Sequence, residues 1–290
     1  MKRFHKIISI IVVMLSFTTF ALAQKNRPLG ENAALRYWAA FSAIQDAGIT
    51  DAQAKELNAF LDGTAPFDDL KYKDLLEKNT LALEIMARGT SIPDCDWGID
   101  YGLGDNIPVE NVRKALVLGR LNVLYAFHLF KTDKKDEGVD ALTAGLKFSH
   151  DVANGGSFFA VLIAKDLLAK HLQAVAGVLH LEQLSASQRS RLQQAIAQLS
   201  RGLDWTSAAK WEMEALKIHF AGDAQASSAL PRVASSYVAA LNDPSKLPAL
   251  NDAIASAPQE LANLIPNAKR VLEQKEDLNN TLKQTQMLLR

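Results

Sequence analysis

The most apolar run after the N-terminal stretch covers Ala115 to Phe130 and reads ALVLGRLNVLYAFHLF, broken only by Gly119, Arg120, Asn122 and His128. Placed on a helix at about 100° per residue, its large apolar side chains point in nearly every direction. A helix that is apolar all round is surrounded by other elements. The run has 16 residues, fewer than the roughly 20 that cross a bilayer. We therefore predict that it is the buried central helix of a helical domain.

Apolar residues at helical spacing recur before and after this run. They predict helices over about 30–47, 50–61, 68–88, 138–152, 157–181, 187–201 and 205–220. Thr50 followed by Gln53 matches a capping box at the start of the second of these helices. Because the connections are short, successive helices are expected to run antiparallel. The pattern predicts an all-α fold of antiparallel helical hairpins, either a bundle or a short tetratricopeptide-like array, around the buried central helix.

The composition changes after Gly222. Five prolines follow: Pro231, Pro244, Pro248, Pro258 and Pro266. Residues 24–222 are therefore predicted to be a helical domain, and residues 223–290 a Pro-broken helical C-terminal extension. The last segment, Asn267 to Arg290, is polar with a thin apolar seam. That seam could dock on the domain, pair with another chain or fray.

Residues 1–23 have the three parts of a secretory signal peptide. A basic start is followed by the apolar stretch Ile7–Phe20 and by the small-residue site Ala21-Leu22-Ala23. We expect cleavage between Ala23 and Gln24 and export to the periplasm or the medium. No later stretch is long and apolar enough to span a membrane, so none is expected to do so in the mature chain.

The net charge and the cysteine count exclude some kinds of partner and of stabilisation. Removing the leader takes away three of the 32 basic residues and none of the 32 acidic ones, which leaves a net charge of −3. That charge argues against nucleic acid as a partner. The single cysteine, Cys95, excludes an internal disulfide. Stability must therefore come from burial, which a hydrophobic content of 48% can supply.

A segment of different character, GTSIPDCDWGIDYGLGDNIP, separates two predicted helices over residues 89–108. Its glycines, prolines and aspartates predict a long loop, and long loops inside compact domains are often functional. The candidate binding residues are Asp94, Cys95, Asp96, Trp97, Asp100 and Tyr101. The carboxylates could serve a cation or acid–base chemistry, with Trp97 as a flat apolar wall, although the spacing does not match a helix–loop–helix calcium site.

A structural interpretation of the same loop is also open. Trp97 and Cys95 would close the end of the helical core, and the aspartates would cap helices and turns, where Asp is common. Cys95 could act as a nucleophile only with a histidine base beside it. A lone cysteine next to a tryptophan is more often a small buried apolar residue.

The helix predicted over 205–220 carries two polar residues on its apolar face. Glu212 and His219 are seven residues apart and so nearly aligned on that face. A buried glutamate needs a partner. Arg120 in the central helix also lacks a wet face, so we predict a buried ion pair between Arg120 and Glu212, with His219 nearby.

Motifs of known chemistry are missing from the sequence. It contains no His-Glu-x-x-His, no Gly-x-Ser-x-Gly and no phosphate-binding glycine motif. The histidines show no metal-ligand spacing. We therefore predict no catalytic residue set, no cofactor and no metal.

Three stretches resemble an uncharacterised family of exported, all-helical bacterial proteins with a Cys-Asp-Trp-Gly loop. They are Asn32–Trp38, Cys95–Tyr101 and the apolar helix carrying Arg113 and Arg120. The resemblance covers about Asn32 to Leu181 and implies a helical fold and export, without an activity. The hairpin with small residues at Ala126, Gly138 and Gly145 is weakly similar to tetratricopeptide hairpins, whose other consensus residues are missing.

Two functions remain open from the sequence. The first is a non-enzymatic exported module that offers a groove or a helix face to a protein or peptide partner. The alternative is a hydrolase-like enzyme that uses the Asp94–Tyr101 loop with Glu212 or a histidine. A broad apolar groove would favour the first, and a pocket joining the loop to Glu212 would favour the second.

Overall fold

The structure is a computed structural model that describes residues 32–45, 50–62, 64–100, 102–103, 110–199 and 202–290. The predicted signal peptide and its cleavage site lie outside these residues, and so does Tyr101. In chain order the helices are α1 Ala33–Ala43, α2 Asp51–Leu61, α3 Asp69–Thr90, α4 Glu110–Lys131, α5 Lys135–Ala153, α6 Phe158–Leu181, α7 Ala186–Gln198, α8 Trp205–His219, α9 Ala224–Asn242, a 3-10 turn Pro244–Lys246, α10 Leu247–Ala255, α11 Gln259–Leu264 and α12 Ala268–Leu288. No strand occurs in the described residues, and the predicted all-α fold is confirmed.

Local signals fix several helix starts where the sequence predicts them. The Thr50 hydroxyl accepts a hydrogen bond from the backbone N–H of Gln53, and the Gln53 side-chain oxygen accepts one from the backbone N–H of Thr50, so the predicted capping box is present. Ser157 caps α6 by accepting from the N–H of Ala160 at 3.1 Å. Each cap satisfies a backbone donor that has no partner within its own helix.

The core is the three-helix layer α4, α5 and α6. These helices follow one another through short turns and pack against each other in antiparallel order. Most of α4 is buried, including Leu118, Leu121 and Leu124, each fully inaccessible to solvent. The prediction of a central helix enclosed by its neighbours is thus confirmed. Helices α1 and α3 cover one side of this layer.

Glycines allow the three core helices to approach closely. A Cβ placed on Gly119 of α4 would lie 2.5 Å from a methyl carbon of Leu167 in α6. A Cβ on Gly138 of α5 would lie 2.8 Å from the ring of Phe130. Only a residue without a side chain permits these contacts, since real Cβ atoms do not come so near a packed neighbour.

A polar layer lies inside the core, centred on the fully buried His171. Its Nδ1 lies 2.8 Å from the carbonyl of Leu167, and its Nε2 lies 3.1 Å from the amide nitrogen of Asn122. The hydroxyl of Ser149 donates to the carbonyl of Gly145 at 2.7 Å. These partners fit a neutral ring that carries its proton on Nδ1 and accepts at Nε2.

The region after residue 222 belongs to the same body, because residues 32–290 form one compact unit. The prediction that every proline there breaks the chain is wrong at Pro231, which lies inside α9. The other four lie at helix starts or between helices, where a proline removes no helical hydrogen bond. Helix α12 packs on α6, so the apolar seam docks on the domain. Among the described helices, none combines the length and apolar character needed to cross a bilayer.

Candidate functional site

The loop that follows α3 is fixed to the start of α1. Asn32 donates through its side chain to the carbonyl of Asp96 at 2.7 Å and accepts from the N–H of Asp96 at 2.9 Å. The N–H of Ala33 donates to the carbonyl of Asp94 at 2.8 Å. The same Asn32 also caps α1. A single asparagine therefore begins the first helix and positions the Cys-Asp-Trp-Gly stretch.

Trp97 closes one end of the core. Trp97 is buried, with 5% of its surface exposed to solvent. Its ring stacks on Phe41 with centroids 5.9 Å apart and on Tyr37 at 5.7 Å. Its indole N–H donates to the backbone carbonyl of Asp151 at 2.8 Å. The ring thus gains apolar burial while its one polar atom is satisfied.

Beneath Trp97 lies a buried carboxylate that the sequence analysis did not single out. Asp151, at the end of α5, is 1% exposed. Its Oδ2 accepts from the hydroxyl of Tyr37 at 2.6 Å, and its Oδ1 pairs with Lys147. Burial raises the pKa of the Asp151 carboxyl, while Lys147 and Tyr37 act in the opposite direction. The same burial and the nearby Asp151 raise the pKa of Tyr37.

The carboxylates of Asp96 and Asp100 bind backbone groups of the loop itself. Asp96 Oδ1 accepts from the N–H of Gly98, and Asp100 Oδ1 from the N–H of Gly102, both at 2.9 Å. Each carboxylate thereby forms an Asx turn. In the described part of the chain, no group of three potential ligands could hold a metal ion. These contacts support the structural interpretation of the loop, in which its aspartates organise turns.

Cys95 is half-buried beside Asp151. Its sulfur lies 3.8 Å from the backbone carbonyl of Asp151. Burial, and then the negative charge of Asp151, raise the pKa of the thiol. A reactive cysteine needs the opposite shift, because the thiolate is the nucleophile. The environment of Cys95 is that of a packed thiol.

The predicted ion pair between Arg120 and Glu212 is not formed. Glu212 accepts a hydrogen bond from the backbone N–H of Phe158 at 3.4 Å, while the buried Nε of Arg120 has no partner among the described residues. The reason is packing, because α8 packs on α6 and α9. Glu212 therefore faces the N-terminus of α6, whose dipole favours a negative charge. Burial nevertheless raises the pKa of the Glu212 carboxyl.

The expectation that His219 is buried near this pair is also wrong. His219 is exposed in the last turn of α8, where its ring meets the edge of Phe220 at 4.7 Å. The helix ends at this residue and the chain turns toward α9, so the buried face of α8 does not extend to it.

A small polar cavity of about 320 Å³ lies beside the loop. Its lining includes Pro93 of the loop, Lys147, His150 and Asp151 of α5, and Leu199 after α7. Burial lowers the pKa of His150. Glu212 does not contribute to this lining, so the cavity does not join the loop to that acid, although it places a histidine, the other partner considered in the enzyme hypothesis, beside Pro93.

A larger apolar pocket of about 670 Å³ lies at the opposite end of the core layer. It is bounded by the connection between α2 and α3, by the last turn of α4 and by the last turns of α6. Phe60, Phe67, Phe127 and Phe130 form its aromatic wall. Leu181, at its edge, is 66% exposed. Its volume and lining are typical of sites for small ligands.

Three rings of the aromatic wall, those of Phe60, Phe67 and Phe127, pack on one another. Phe60 meets Phe127 edge to face with centroids 4.5 Å apart. Phe67 lies 5.3 Å from Phe60 and 5.7 Å from Phe127. Such pairs add about 0.5–1.5 kcal/mol beyond their burial. These three side chains therefore support one another along the wall of the pocket.

Sequence reasoning missed both Asp151 and this pocket. Asp151 lies three residues after Phe148 and beside Val152, so helical periodicity places it on an apolar face of α5, and this position is a usable signal. Phe60 and Phe67 flank Pro66 at a helix connection, and they too were visible. No local sequence pattern shows that the space between these two rings and α6 stays unfilled, because that depends on how the helices pack.

Comparison of the chain with protein-family models, with curated proteins and with solved structures finds no match.

Proposed function

We propose that this protein is a non-enzymatic binding module, exported to the periplasm or the medium, and that its binding site is the apolar pocket between α2, α4 and α6. The observation that carries the proposal is the pocket itself. An open cavity of about 670 Å³ with four phenylalanines in its wall leaves apolar surface in water. A ligand that covers this surface would gain hydrophobic free energy.

The contacts of the loop do not favour the hydrolase-like alternative. The side chains of Asp96 and Asp100 accept from loop backbone groups, and Glu212 accepts from the start of α6. A nucleophile, a base and an oxyanion site must converge on one reacting atom. The cavity beside the loop holds His150 and Asp151, but Asp96, Asp100 and Glu212 are not among its lining residues.

The proposal is tested by titrating the full chain with Nile red, an uncharged dye whose emission rises in apolar surroundings. We expect saturable binding at one site. Gly177→Leu adds a side chain to the pocket lining, since a Cβ there would meet only Phe127, at 3.7 Å. This variant, or Ala176→Leu in the same lining if the first misfolds by circular dichroism, should abolish binding.

Gly222→Leu is the matched control, because a Cβ there meets nothing within 4 Å and the residue lies outside the pocket lining. It should bind the dye as the parent chain does. If the dye does not bind saturably, or if binding survives in both pocket-filling variants, the proposal is wrong.

A further inference from the structure

The polar groups around the pocket suggest which chemistry it selects, provided that it is the binding site proposed above. Glu182 at the rim is already paired with Lys135, with the charged atoms 3.1 Å apart. With His180 counted as neutral, the remaining rim charges are one acid, Asp62, and one base, Lys131, and neither forms a salt bridge within the described part of the chain. The rim therefore carries no surplus charge of either sign.

The lining of the pocket is mainly apolar, and its polar side chains Gln173 and His180 are exposed to solvent. Among the described residues, the buried side-chain atoms without a hydrogen bond are Arg120 Nε, Thr143 Oγ1 and Tyr237 Oη. None of these residues lines the pocket. A site built for a polar ligand leaves donors or acceptors waiting for it, which gives strong discrimination. Within the described residues, the lining therefore holds no buried polar atom that only a ligand could satisfy.

We infer that the pocket takes uncharged apolar molecules and selects them by the apolar area they bury, without preferring either sign of head-group charge. The aromatic wall supplies ring faces and edges, and an aliphatic or aromatic body can cover them equally. Affinity is then set by the hydrophobic effect, which is non-directional and proportional to area.

The test is displacement of Nile red from the full chain by matched alkyl compounds below their micellar concentrations. Octanol and decanol measure the dependence on apolar area. Decanol should bind about tenfold more tightly, as expected for burial of two more methylene groups. Decanoate and decylammonium measure the dependence on charge. Their dissociation constants should lie within about threefold of each other, and neither should be tighter than that of decanol, because an ionised head is costly to desolvate.

A preference of tenfold or more for either charged compound would overturn the inference and mark the pocket as a site for that head group. Equal binding of octanol and decanol would overturn it too, since area would then not set affinity. So would failure of all four compounds to displace the dye. Failure of the dye itself to bind is a different result and counts against the proposed function. Absence of dye binding to Gly177→Leu in a parallel titration shows that the dye displaced from the parent chain comes from the pocket.

Discussion

The two ends of the α4–α5–α6 layer are closed in different ways. At one end Trp97 stacks on Phe41 and Tyr37 and donates its N–H to Asp151, so ring and polar atom are both satisfied. At the other end four phenylalanines line a pocket of about 670 Å³ that nothing in the described chain fills. The same helices thus pack tightly at one end and leave apolar surface in water at the other.

This difference separates residues that stabilise the fold from residues available for binding. Aromatic residues occur at both ends, so residue type alone does not distinguish them. At the Trp97 end the aromatic rings are buried by contacts within the chain, so substituting them should lower the stability of the fold. At the pocket end part of that surface is left over, and substitution should change what the protein binds.

The largest effect is expected from Trp97→Ala. Removing a buried tryptophan leaves a cavity, and we expect a loss of about 4 kcal/mol in the free energy of unfolding. Chemical denaturation measures this loss. Trp97→Phe keeps a ring to stack but loses the indole N–H, so it should cost clearly less. A loss below about 1 kcal/mol for Trp97→Ala would show that the loop does not close this end of the core.

Gly145→Ala tests the polar layer between the two ends. A Cβ at this position would lie 2.1 Å from Nε2 of His171 and 2.3 Å from the amide nitrogen of Asn122. Both atoms are held by hydrogen bonds, so neither can move without leaving a partner unsatisfied. We expect a loss of about 3 kcal/mol by chemical denaturation. A stability equal to that of the parent chain would show that the layer is not tightly packed.

The pH dependence of stability tests the same layer through His171. Burial lowers the pKa of this histidine to about 4, from 6.5 when unperturbed. The unfolded chain therefore binds the proton more strongly, and stability falls as the pH drops from 6.5 toward 4. The loss attributable to His171 should be about 3 kcal/mol.

Replacing His171 with glutamine isolates this contribution, because the side chain stays polar but cannot titrate. We expect His171→Gln to be less stable than the parent chain at neutral pH. Its free energy of unfolding, measured by chemical denaturation at several pH values, should fall less steeply between pH 6.5 and 4. If the free energy of unfolding changed with pH equally in the variant and the parent chain, His171 would be ruled out as the titrating group.

The smallest effect is expected at the open end, from Gly177→Ala. Glycine is unfavourable inside a helix, and the new Cβ would make an ordinary contact with Phe127 at 3.7 Å. We expect the free energy of unfolding, measured by chemical denaturation, to rise by about 1 kcal/mol. The contrast with Gly145→Ala, the same substitution in a neighbouring helix, measures directly how packing differs between the closed interior and the pocket. A destabilised Gly177→Ala would indicate that the pocket end is as tightly packed as the interior.

Local patterns in the sequence were sufficient for much of the architecture. The apolar run around Leu121 predicted the buried helix, and Thr50 and Ser157 marked helix starts, because hydrophobic periodicity and capping depend on residues within one or two turns. The prolines after Gly222 were less reliable guides, since Pro231 is accommodated inside α9 by its tertiary setting. Local preference is a weak constraint when packing opposes it.

The tertiary structure alone decided how the polar groups are satisfied and where space is left. Glu212 was correctly seen as an acid on an apolar face, yet its partner is the N–H of Phe158 at a helix start and not Arg120, because the partner depends on which helices meet. The pocket arises for the same reason: Phe60 and Phe127 are brought together from helices distant in sequence. Periodicity fixes which face of a helix is buried, whereas the fit between helices determines what each buried group touches.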